Sequence, residues 1–251
     1  MKKILLIITL CFLSICSFAQ TQKELWTAAN NYYSQGNYQE ALNNFLKIEE
    51  SGYVSSALFY NTGNTYFKLK QTGKSILYYE RALKLDPSDK DVISNLELAK
   101  EYTLDKIEAV PDFIIKTWVK DINYSLSSDL WSYLALMFLA GAVALILLFK
   151  FGPTSRTRKT AFFCAMVATL FFIFSSGFAW SQKHSYNLKN TAIIMQPVST
   201  IKSSPDNSGK ALFILHEGTK VELIEELGQW KRVELADGRQ GWVASLDIEV
   251  I

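Results

Sequence analysis

Cysteine, histidine and proline are scarce in this 251-residue chain, which holds 3 Cys, 2 His and 5 Pro. Cys11 and Cys16 lie in an N-terminal apolar stretch and Cys164 in a later one, so no pair remains to cross-link the segments between by a disulfide. His184 and His216 stand far apart in unlike contexts, and with no Cys cluster beside them neither a zinc site nor any other metal or cofactor is expected. An excess of one charge is missing too. The 26 Lys and Arg against 24 Asp and Glu leave a net charge of +2, and no stretch gathers cations on a folded surface, which argues against nucleic acid as a partner. The chain also lacks a Ser/His/Asp or Cys/His set, a phosphate loop, and paired carboxylates in an apolar setting. Neighbouring acids such as Glu49 and Glu50, or Glu225 and Glu226, read as solvated faces, so no enzymatic activity is expected.

What the chain does have is apolar sequence arranged in blocks. Residues 1–19 begin with Lys2 and Lys3, run through an apolar stretch from Ile4 to Ile15 and close on Ser17-Phe18-Ala19, the pattern of a secretory signal peptide. A lipoprotein signal at Leu13-Ser14-Ile15-Cys16 is disfavoured by the bulk of Ile15. Residues 130–149 and 161–180 carry no charge, and a helix of about 20 residues crosses a hydrocarbon core of ~30 Å, so two transmembrane helices are expected. Trp131, Tyr133 and Trp180 fall at the ends of these runs, where rings favour the headgroup boundary.

The segment between them, 150–160, contains Lys150, Arg156, Arg158 and Lys159 without one acid, and the positive-inside rule makes it a cytoplasmic loop. Both flanking segments are then expected outside the cell membrane, in the periplasm, as a signal peptide followed by an even number of spans requires. Upstream, in the juxtamembrane segment 107–128, Phe113, Ile114, Ile115, Trp118, Val119 and Ile122 recur at helical spacing among Lys116, Lys120 and Asp121. This amphipathic helix is expected either in the membrane interface or packed under the preceding domain.

Residues 20–106 repeat with a period of 34: Leu25 matches Phe59, Tyr32 matches Tyr66, Ala41 matches Ser75, Phe45 matches Tyr79 and Ile48 matches Ala82. Each unit reads as two helices, joined near Gly36-Asn37-Tyr38 and near Gln71-Thr72-Gly73, with Asp86-Pro87 as the stop. Residues 58–66, then Tyr79-Glu80-Arg81-Ala82-Leu83 and Pro87, resemble a tetratricopeptide repeat. Ile93, Leu96 and Ala99 add a capping helix. The resemblance implies a concave groove lined by Trp26, Asn30, Tyr33, Tyr60, Asn64, Phe67 and Lys68, in which the paired amides of Asn30 and Asn64 meet an extended peptide and Lys68 a carboxylate.

After a polar linker, 181–189, the pattern turns to short β-rich runs at 192–195, 200–202, 220–225, 230–235 and 240–244, with Asp237-Gly238 as a hairpin connection, so a small all-β barrel is expected over 190–251. Leu215-His216-Glu217-Gly218-Thr219-Lys220-Val221, Gly228-Gln229-Trp230-Lys231-Arg232-Val233 and Asp237-Gly238-Arg239-Gln240-Gly241-Trp242-Val243 resemble a bacterial SH3-like domain, which implies binding. Alternation assigns Val233 and Leu235 to the core, leaves Trp230 and Arg232 as a ligand surface, and Trp242 is expected mainly in the core.

The fold class expected is therefore multidomain: an all-α tetratricopeptide solenoid, a two-helix transmembrane hairpin and a small all-β SH3-like barrel. In this order the segments resemble the BatE-type members of the Bacteroides aerotolerance operon family. That resemblance implies a bilayer-anchored, periplasm-facing scaffold for other membrane or periplasmic proteins, with von Willebrand factor A domain proteins as partners in envelope stress tolerance. The alternative is a cell-wall sensor whose SH3-like domain holds peptidoglycan.

Overall fold

The computed structural model describes residues 22–108, 113–188 and 190–251. The expected signal peptide, 1–19, lies outside the described residues. The chain divides into two compact bodies, which are taken in turn: the first comprises residues up to 82, 90–108 and 190–251, the second 83–89 and 109–189.

The first body opens with helix α1 (22–34), followed by α2 (Tyr38–Glu50), α3 (Ser56–Lys68), α4 (Thr72–Leu85) and α5 (Lys90–Glu101). Gly36 closes the first connection at φ +80°, a conformation that a side chain would strain. Ser55 caps α3 by accepting a hydrogen bond from the Leu58 amide. Ala29, Ala41, Phe45, Ile48 and Leu58 form one apolar cluster between α1, α2 and α3, with Leu25, Trp26 and Tyr33 packed on it. Gly63 permits the approach of α3 and α4, because a Cβ there would come within 2.7 Å of the buried Tyr79 ring. The capping helix buries Val92, Leu96 and Ala99, while Ile93 is only half-buried.

The same body continues in seven strands: β1 (Thr191–Ile194), β2 (Ser199–Lys202), β3 (Ala211–Leu215), β4 (Lys220–Leu227), β5 (Trp230–Glu234), β6 (Gln240–Ala244) and β7 (Ile248–Val250). Strands β3 and β7 fall outside the runs expected from sequence: β3 is a short apolar run without alternation, and Ile248-Glu249-Val250 in β7 alternates but over three residues after a 3-10 turn, too few for a period to show. The strands form a single sheet in the order β3-β2-β6-β5-β4-β1-β7, and every pairing is antiparallel. The order leaves β3 and β7 at open edges, so the expected barrel is corrected to an open sheet wrapped round one core. That core draws on all seven strands or their flanks, with Ala192, Ile194, Ile201, Leu215, Val221, Val233, Leu235, Val243 and Ile248 buried in it.

The second body holds α6 (Ile114–Tyr124), α7 (Ser128–Phe151) and α8 (Ser155–Asn187). Helices α7 and α8 are long and apolar enough to cross a membrane by length and composition. Little of either is buried. Their seam is lined by small residues, with Ala135 and Ala142 on α7 facing Ala161, Ala165 and Ser175 on α8, and such residues let helices approach closely in lipid. Three ring pairs bridge the antiparallel hairpin: Trp131 with Phe178 at 5.0 Å, Phe138 stacked on Phe171 at 5.2 Å, and Phe149 with Phe162 at 5.6 Å. Helix α8 runs on through 181–187, where the sequence suggested a linker, because the polar residues there are all compatible with a helix and no Gly or Pro interrupts them. The helices also invade the expected loop: Lys150 stands in the last turn of α7, and Arg156, Arg158 and Lys159 in the first turns of α8, all exposed at one end of the hairpin.

Candidate binding surfaces

Helix α3 carries Tyr60, Asn64, Phe67 and Lys68 on successive turns, and α5 answers with Asn95. The Asn95 side-chain amide donates to Tyr60 Oη at 3.0 Å and to Asn64 Oδ1 at 2.9 Å. Asn64 Oδ1 also accepts from the Tyr79 hydroxyl at 2.7 Å, so this amide organises three helices. Burial holds the Tyr79 hydroxyl well above its ordinary range, and the nearby Tyr60 adds to this; it stays a neutral donor. Phe67 packs edge-on against Tyr102 at 5.6 Å, and Lys68 is exposed.

On α1 the groups are used differently. Asn30 Nδ2 donates to the Trp26 carbonyl one turn back at 2.9 Å, Trp26 packs edge-on against Phe45 at 5.7 Å, and Tyr33 packs against Tyr38 at 5.3 Å. The two amides expected to act as a repeated pair therefore differ: Asn30 turns back on its own helix, and Asn64 holds neighbouring helices together. Sequence reasoning missed Asn95, because it lies outside the two repeats that define the period.

The outer face of the sheet gathers aromatic and cationic groups. Trp242 is opposite Arg232 across β5/β6 and opposite Lys202 across β2/β6. Lys202 Nζ lies 5.1 Å from the centroid of the Trp230 ring, within reach of cation–π attraction. Arg232 is held by Gln240 Oε1 at 2.8 Å and lies 3.8 Å from Glu225, while Gln240 in turn donates to Glu234 at 3.1 Å. Trp242 is half-buried rather than core. Its strand neighbours Gly241 and Val243 are the buried ones, so the alternation runs undisturbed through Gly241 and turns the indole outward with Trp230. A Cβ at Gly241 would meet Ile201 at 2.4 Å, which is why glycine stands there. Val233 and Leu235 are buried in the core, and Trp230 and Arg232 are half-buried on the opposite face.

Between the repeat helices and the sheet runs a polar interface that no sequence pattern announced. Arg81 Nη2 donates to Glu249 at 3.0 Å and to the Val250 carbonyl at 3.1 Å, while its guanidinium lies 5.0 Å from the centroid of the Tyr78 ring. The Tyr78 hydroxyl donates to Glu49 at 2.7 Å. Burial and this carboxylate partner both push the Tyr78 hydroxyl far above its usual range. Glu80 is buried yet ionised: desolvation works against its charge, but Lys220 at 2.6 Å and Lys100 at 3.3 Å outweigh this and hold it below the ordinary value. Gly73 donates its amide to Glu217 at 2.8 Å. Downstream of α5, Asp105 caps the turn before β4, and Ile107 packs onto the sheet core. A cleft of about 450 Å³ remains beside this strap, lined by Lys100, Lys106, Lys220, Glu222 and Glu234 among others.

Comparison with protein families gives two matches. The tetratricopeptide repeat model matches residues 56–89, the pair α3 and α4, and the bacterial SH3 domain model matches residues 198–249, from β2 into β7. A comparison with curated proteins finds no match. The chain thus joins a repeat of a protein-binding type to a bacterial SH3-type sheet, alongside two helices of membrane-spanning length.

Proposed function

We propose that the chain is a membrane-anchored, non-catalytic scaffold that presents both binding modules to the periplasm. The observation that carries this reading is the polar interface around Arg81, Glu80 and Asp105, which joins the repeat helices and the sheet into one body. A fixed pair of binding surfaces suits the organisation of other proteins, since neither module moves freely to seek a ligand alone. The hairpin α7–α8 anchors it, with Lys150, Arg156, Arg158 and Lys159 on the cytoplasmic side. The resemblance to BatE-type proteins supports envelope partners carrying von Willebrand factor A domains and a role in aerotolerance. Photo-crosslinkers at Lys68 and at Trp230 in intact membranes test it: capture of membrane or periplasmic proteins from both positions is expected, and capture from neither would overturn it.

A second reading, a cell-wall sensor, is favoured by one observation, the outward pair Trp230 and Trp242 with Lys202 and Arg232 between and beside them. Flat indoles with cations suit the sugars and carboxylates of peptidoglycan. Saturable co-sedimentation of the solubilised chain with purified peptidoglycan, lost in Trp230→Ala, is the result expected of the sensor. Absence of sedimentation would leave the scaffold.

A further inference from the structure

Helix α6 separates its residues cleanly by polarity. At 100° per residue, Ile114, Ile115, Trp118, Val119 and Ile122 fall within an arc of about 140°, and Lys116, Thr117, Lys120, Asp121, Asn123 and Tyr124 complete the circle. The five apolar side chains are 51–66 % exposed, and Phe113 at the helix start is 84 % exposed. An isolated soluble domain rarely leaves so continuous a patch in water.

The other end of the helix is fixed. Asn123 is buried, and its carbonyl accepts from Trp131 Nε1 of α7 at 2.8 Å and from Gln182 Nε2 of α8. Gln182 Nε2 also donates to the Leu126 carbonyl at 2.9 Å. This clasp joins α6 to the hairpin where the uncharged runs of α7 and α8 begin and end, level with Trp131 and close to Trp180. The apolar arc therefore starts at the depth where the spans leave hydrocarbon.

We infer that α6 lies in the membrane interface as an anchor, its Ile114–Ile122 arc seated among lipid acyl chains and its lysines among headgroups. Its occupant is lipid rather than a protein partner because the clasp ties the helix to the hairpin at the ends of its uncharged runs, and the arc offers no polar group except the Trp118 indole N–H, which suits the headgroup boundary. A helix of this kind buries its apolar face roughly 5–10 Å below the headgroups. Trp118 and Tyr124 join the ring of interfacial aromatics, and Lys116 and Lys120 outnumber the single Asp121 on the polar arc, which suits anionic lipid. The inference rests on α7 and α8 spanning the bilayer.

The test uses the full chain in vesicles of phosphatidylethanolamine and phosphatidylglycerol, with Cys11, Cys16 and Cys164 replaced by serine. Nitroxide labels are placed through Ile115→Cys, Trp118→Cys and Ile122→Cys on the arc, through Thr117→Cys and Lys120→Cys on the polar side, and through Leu139→Cys and Ile146→Cys in α7. Collisions with oxygen, which concentrates in lipid, are compared with collisions with a water-soluble nickel chelate. The three arc positions are expected to favour oxygen, as do 139 and 146, while 117 and 120 favour nickel. If 139 and 146 favour oxygen but the arc favours nickel, or is shielded from both reagents as under a protein partner, the inference is overturned. If 139 and 146 themselves favour nickel, the spanning reading fails and the inference with it.

Discussion

The Asp105 carboxylate grips the turn that begins at His216: it accepts from the His216 backbone amide at 2.7 Å and pairs with His216 Nδ1 at 2.9 Å. A third bond comes from the Thr219 hydroxyl at 2.7 Å. Desolvation raises the Asp105 carboxyl, but these bonds outweigh it and keep the group below its ordinary value. One side chain from the end of the repeat domain thus closes a turn of the sheet, and the ionised form is the one that fits.

Removing that carboxylate leaves a backbone amide and a hydroxyl unpaired in a part-buried place. Asp105→Ala is expected to weaken the joint by about 2 kcal/mol, the usual worth of hydrogen bonds to a charged group. Hydrogen exchange in the detergent-solubilised chain should rise at residues 216–219 and leave α2 protected. Unaltered exchange at the turn would mean that the sheet holds it without help.

The interface is expected to weaken with acid. Glu80 in the joined state lies below its ordinary value of 4.5, held by Lys220 and Lys100, and Asp105, facing His216 and Thr219, lies below 3.8. A carboxyl whose value is depressed on docking contributes stability that is complete above the undocked value and lost as pH falls through the docked one. Denaturation of the native chain and of Glu80→Gln, followed by tryptophan fluorescence, should therefore differ fully at pH well above the ordinary value of 4.5 and converge only as pH falls through the lower docked value. A difference that grew on acidification would reverse the sign of the argument.

The repeat was legible because packing imposes a period: the close approach at Gly63 and Tyr79 has its counterpart 34 residues earlier in Ala29 and Phe45, both buried in one cluster. The hairpin was legible because 130–149 and 161–180 carry no charge and each is long enough to cross a bilayer. The joint between modules was not. Asp105 and His216 are 111 residues apart, and a single polar pair has no periodicity to betray it. The strands β3 and β7 and the outward turn of Trp242 escaped for a related reason, since edge strands and a glycine-flanked indole are settled by neighbours distant in sequence.

The groove amides offer the sharpest comparison, because the 34-residue period makes Asn30 and Asn64 equivalent and the packing makes them different. Among the described residues Asn30 bonds the Trp26 carbonyl of its own helix, and its loss exposes nothing that water cannot satisfy. Asn64 accepts from both Tyr79 and Asn95, and its removal strands the hydroxyl of a ring that is 1 % exposed. Asn30→Ala is therefore expected to shift stability by no more than ~0.5 kcal/mol. Asn64→Ala should cost ~1–3 kcal/mol, the penalty for buried polar groups left without partners. Thermal melting of the solubilised chain by far-ultraviolet dichroism at the helical band separates the two. Adding Tyr79→Phe to Asn64→Ala should recover part of the loss, because the stranded hydroxyl is then gone. Equal melting of the two single variants would mean that Asn64 is free in the groove and available to a ligand, as the repeat pattern alone suggests.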